Sequence, residues 1–77
     1  MTRPLQRGDF VMVDSGADVF DAMVTLASPN GRSVMLMFDG IIGGFVGALP
    51  ALLHDDGQWR ALNGMPLTIT RTDGEEG

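Results

Sequence analysis

The sequence predicts an all-β protein, either a small twisted sheet or a small barrel of five to six short antiparallel strands. Three observations carry that prediction. Lysine is absent from the 77 residues, glutamate first occurs at Glu75, and glutamine occurs only at Gln6 and Gln58. Those residues ordinarily coat the wet side of a surface helix, so a helix here has little to build that side from. Eleven glycines and four prolines punctuate the chain, as short strands joined by tight turns require. Phe20, Ala22, Val24 and Leu26 alternate with Asp21, Met23 and Thr25, the period of two of a half-buried strand.

Taken in order, residues 2–7 read as a loose lead-in with Leu5 as an anchor. Gly8-Asp9 opens a first strand at 10–14, and Ser15-Gly16-Ala17-Asp18 turns into a second at 19–27. Ser28-Pro29-Asn30-Gly31 is a turn, because proline presets φ and Asn-Gly tolerates positive φ. The third strand, 33–38, has no polar face. Val34, Leu36 and Phe38 lie on one side and Met35 and Met37 on the other, the pattern of a strand covered on both faces. Asp39-Gly40 ends it, and Ile41-Ile42-Gly43-Gly44 bends into a fourth strand at 45–49. Pro50 permits continuation only at an edge or bulge.

Residues 51–54 then pair with 58–62 across the Asp55-Asp56-Gly57 turn, and Asn63-Gly64 is a second strong turn signal. The last strand is 66–71, with Leu67 and Ile69 inward and Thr68 and Thr70 outward. Residues 72–77 read as a disordered acidic tail. The competing reading is a helix over 45–54, where Phe45, Leu49, Leu52 and Leu53 fall at helical spacing. Gly47 and Pro50 oppose it. The chain reads as one domain.

Composition narrows the function. A chain this short has a marginal core and gains from a disulfide, a metal or a partner chain. There is no cysteine and His54 is the only histidine, which excludes disulfides and the common zinc sites. The formal net charge is −5, and the five arginines, Arg3, Arg7, Arg32, Arg60 and Arg71, are scattered. That argues against nucleic acid, which needs clustered cations, and against an anionic membrane surface. The longest apolar region, 40–53, is too short and too rich in glycine for a membrane helix. The N-terminus lacks the apolar core of a signal peptide. The expectation is a cytoplasmic protein with no cofactor, no nucleic acid and no membrane.

Each candidate site has a plainer structural explanation. Gly40-Ile41-Ile42-Gly43-Gly44 lacks the Lys and Ser or Thr of a phosphate loop. It reads as a sharp bend, with Ile41 and Ile42 as candidate contacts for a partner protein. Asp14, Asp18 and Asp21 do not have the spacing of a calcium loop, and turn chemistry explains the first two. His54-Asp55-Asp56 offers acid–base groups but also reads as a hairpin turn. Trp59 reads as core, or as an interface or stacking residue beside Arg60. Met12, Met23, Met35 and Met37 all fall on strand faces opposite the expected core. Flexible methionines suit adaptable contact surfaces.

Gly8-Asp9-x-Val11 followed by Ser15-Gly16-Ala17 resembles the first strand and loop of SH3-like small barrels. Those include nucleic-acid-associated barrels and the small plasmid-borne dihydrofolate reductases, which are similar to this chain in length. The resemblance implies an SH3-like barrel. The reductases' catalytic strand motif has no counterpart here, so no residue role and no activity follow from it.

Two functions suit these observations. The first is a protein-interaction or structural module acting through the Met-rich face, with Met35, Met37, Ile41, Ile42 and Trp59 as interaction residues. Its partner would be a second copy of the chain or another protein, and no catalytic residue is expected. The alternative is a small-ligand-binding protein or enzyme whose site forms between subunits, where Trp59, Arg60 and His54 would meet.

Overall fold

The computed structural model describes residues 4–72. Six strands follow one another: β1 (Phe10–Asp14), β2 (Val19–Ala27), β3 (Ser33–Ile42), β4 (Phe45–Leu53), β5 (Trp59–Ala61) and β6 (Pro66–Arg71). Each pairs antiparallel with its neighbour in sequence, and β6 returns to pair with β1, closing the barrel. The expected all-β architecture is therefore a closed barrel rather than an open sheet, and the described residues contain no helix. Among them no helix is long and apolar enough to cross a membrane.

The interior follows from alternation. Val11 and Val13 of β1, Ala22 and Val24 of β2, Val34, Leu36 and Phe38 of β3, Leu49 and Ala51 of β4, Ala61 of β5 and Leu67 of β6 form the core. Phe20 and Phe38 pack as a tilted pair with ring centroids 5.0 Å apart, a favourable aromatic geometry. Removing such branched side chains from water is the main force holding so small a domain together.

Three expectations about the strands change. β3 and β4 are longer than their local signals suggest, at 10 and 9 residues, and 45–54 is not a helix. Ile41 and Ile42 lie within β3, opposite Val46 and Phe45, not on a flexible loop. Gly43 and Gly44 form the connecting turn with φ of +57° and +88°, the backbone that a two-residue hairpin of this hand requires. Pro50 continues β4 because the pairing of β4 with β5 begins only at Ala51. Its carbonyl accepts a hydrogen bond from the Leu62 N–H, so its nitrogen faces that same side and the ladder to β3 loses no donor.

The third change concerns faces. β3 was expected to be covered on both sides, but Met37 is exposed and Met35 only half-buried. A barrel has a single interior, and no element of the described chain lies over the outside of β3. In β2 the alternation breaks between Val24 and Leu26, where the register shifts. This bulge turns Leu26, expected inward, to the outside, where it is 63% exposed beside Met35.

The lead-in is tied down from Pro4 onward. Leu5 packs against the core, the Gln6 N–H donates to Asp9 Oδ2 at 2.9 Å, and Arg71 Nη2 donates to the Pro4 carbonyl at 2.8 Å. At the other end Thr72, expected in the disordered tail, extends the β1–β6 seam through its N–H to the Phe10 carbonyl. The rest of that tail, 73–77, and residues 1–3 lie outside the described residues.

Candidate functional site

The outside of β1 to β4 carries the most distinctive surface. Phe10 of β1 stands opposite Met23 of β2, Met23 opposite Met37 of β3, and Met37 opposite Ala48 of β4. One row of side chains thus crosses four adjacent strands. The next row is Leu26, Met35 and Pro50, made possible by the β2 bulge. Met12 lies two residues from Phe10 on the same face, and Ile41 and Val46 prolong the stripe toward the β3–β4 turn. Phe10 is 54% exposed, Met37 47%, Ile41 68% and Val46 74%. Single exposed apolar residues are ordinary, whereas a contiguous patch marks a contact surface.

Within this face Phe10, Met23 and Met37 floor a shallow groove of about 520 Å³ that Asp21, Asp39 and Gly47 also line. Asp21 stands opposite Met12, one step along β2 from the groove floor. Asp39 lies two residues beyond Met37 on the same outer face of β3. Both carboxylates are exposed, and neither has a hydrogen bond or ion pair with a described residue.

Three of the four described arginines are engaged elsewhere. Arg32 pairs with Asp55 at 2.7 Å, Arg60 with Asp56 at 3.0 Å, and Arg71 with Asp9 at 3.3 Å. The Arg60 guanidinium and the Gln58 N–H hold the Asp56 carboxyl below its ordinary range, since both favour the charged form. Arg7 is exposed, and Arg3 lies outside the described residues.

The other candidates disperse. His54 is exposed just after β4 and precedes a turn whose two carboxylates are taken by Arg32 and Arg60. No side-chain hydrogen bond orients its imidazole, so the acid–base cluster does not assemble. Trp59 is half-buried and packs against the core, opposite Leu53 and the buried Leu67. Arg60, its neighbour on the strand, faces the other way. Trp59, Arg60 and His54 thus do not share a cleft within one chain. Asp14 accepts the Gly16 N–H at 2.8 Å and Asp18 closes the same turn with Ser15. No group of three or more His, Cys, Asp or Glu among the described residues is placed to hold a metal.

Of the five residues expected at an interface, Met35, Met37 and Ile41 share the outer face. Ile42 and Trp59 pack against the core. Phe10, Asp21, Leu26 and Asp39 escape a reading of the sequence alone. Phe10, Asp21 and Asp39 are brought together by pairing across strands, and Leu26 is placed by an irregularity within β2. Compared with known protein families, curated proteins and solved structures, the chain finds no match.

Proposed function

We propose that the protein is a small interaction module that docks on a protein through the outer face of β1 to β4. The row Phe10–Met23–Met37 carries this reading. Phe10 and Met37 are exposed and Met23 between them is half-buried, on a domain whose core already lies inside the barrel. Folding does not account for it, because those side chains contribute little to the interior. Leaving such a stripe in water favours association. Methionine at two of its three positions suits a surface that adapts to its partner.

Selection from a random-peptide display library, run in parallel on the wild-type protein and on Met37→Glu, tests the reading. Peptides enriched on the wild type and lost on the folded variant support docking at this face. Equal enrichment on both, or none on either with a monomeric wild type, overturns it.

A further inference from the structure

Resting on that reading, we infer that the occupant of the outer face is a cationic, apolar segment of a different protein, held over Phe10, Met23 and Met37 with its cation beside Asp21 and Asp39. The argument is charge complementarity over an apolar floor. The groove offers a polarisable bottom of one aromatic ring and two thioethers, which suits methylene stems and apolar side chains. Its two rim carboxylates are not matched by any described arginine, whereas Asp9, Asp55 and Asp56 each are. An apolar strip edged by two such carboxylates selects arginine or lysine flanked by hydrophobic residues. The aliphatic stem lies on the floor while the head reaches the rim.

The same charges disfavour a second copy of the chain in this groove. A second copy would bring the same apolar row and the same two carboxylates, with no cation among the lining residues to meet them. Like charges brought together at an interface disfavour it, and the chain already carries a net charge of −5. The protein's overall charge also steers a basic partner toward it and repels its own kind.

The test uses the peptides enriched on the wild-type protein, resynthesised with a fluorescein label and titrated by fluorescence polarisation. The expected consensus combines arginine or lysine with leucine, isoleucine or aromatic residues. The expected effect of Asp21→Asn together with Asp39→Asn is affinity about tenfold weaker, with a shallower dependence on salt. Asp14→Asn with Asp18→Asn removes equal charge from residues that do not line the groove, and should leave affinity within about twofold.

If both double variants weaken binding equally, the attraction is to net charge and the inference falls. If the peptides carry no basic residues, and are lost on Met37→Glu but not on Asp21→Asn with Asp39→Asn, the docking face stands and the cationic partner is wrong. A wild-type dimer by light scattering that Met37→Glu disperses would place a second copy there and overturn the inference while keeping the face.

Discussion

Arg71 of β6 reaches Asp9, just before β1, at 3.3 Å across the seam where the barrel closes, and both side chains are nearly withdrawn from water. Asp9 Oδ2 also accepts the Gln6 N–H, and Arg71 donates to the Pro4 carbonyl. The pair thus ties the first strand, the last strand and the lead-in together. Taking one partner from a buried ion pair leaves the other charge poorly solvated. Asp9→Ala is expected to cost about 3 kcal/mol, lowering Tm by roughly 12–24 °C in a domain of this size. Thermal unfolding followed by circular dichroism checks this. A shift of only a degree or two would mean that the seam is held by the strand ladder alone.

The two faces of β3 should respond oppositely to substitution. Leu36 is completely buried whereas its neighbour Met37 is 47% exposed. Leu36→Ala is expected to lose about 2–5 kcal/mol, enough to unfold much of a marginal domain. Met37→Glu is expected to change stability by about 0.5 kcal/mol or less while abolishing docking. Urea midpoints for the two variants, set beside peptide binding by Met37→Glu, measure the split. Comparable destabilisation by both would show that Met37 belongs to the core.

Gly31 is buried against Pro4 with φ of +72°, and a Cβ added there would run into the proline ring. Gly16 also has positive φ, but open space surrounds it. Gly16→Ala should therefore show backbone strain alone, roughly 1–2 kcal/mol. Gly31→Ala should cost more, and should also raise the hydrogen-exchange rate of the Gln6 N–H, which otherwise donates to Asp9. Equal cost at the two positions, with the Gln6 N–H still protected, would mean that the lead-in is not held by this contact.

Asp56 sets an acid dependence. Its carboxyl lies below its ordinary range because Arg60 and the Gln58 N–H stabilise the anion. A carboxyl depressed in the folded state adds stability above its unfolded pKa of about 4. That contribution fades as pH falls through the lower folded value. Arg60→Gln should thus be slightly less stable than wild type at neutral pH, with the difference closing below about pH 4. The contribution is small, since exposed ion pairs are screened by solvent and salt. Denaturation midpoints for the two proteins across the acid range check the sign, and a gap that widened in acid would contradict it.

Local chemistry accounts for what was legible beforehand. Ser28-Pro29-Asn30-Gly31, Asp55-Asp56-Gly57 and Asn63-Gly64 are turns whose residues accept the required dihedrals whatever surrounds them. All three fall between strands in the structure. The inward placing of Val24, Leu36 and Leu67 followed from alternation. Leu26 did not, because one bulge reverses every side chain beyond it and depends on the partner strand. Ile42 and Ile41 are sequence neighbours of like chemistry, and only the pairing with Phe45 and Val46 separates the half-buried one from the exposed one.

By itself the sequence determined that this chain is made of short strands and turns, because the shortage of helix-coating residues and the glycine-bearing turns act within a few residues of one another. It also determined that the apolar content exceeds one core face. Closure of β6 onto β1, and the meeting of Phe10, Met23 and Met37 beside Asp21 and Asp39, were decided by the tertiary structure. Those residues come from three strands far apart in sequence, and their neighbourhood depends on register, which non-local pairing and core burial select together.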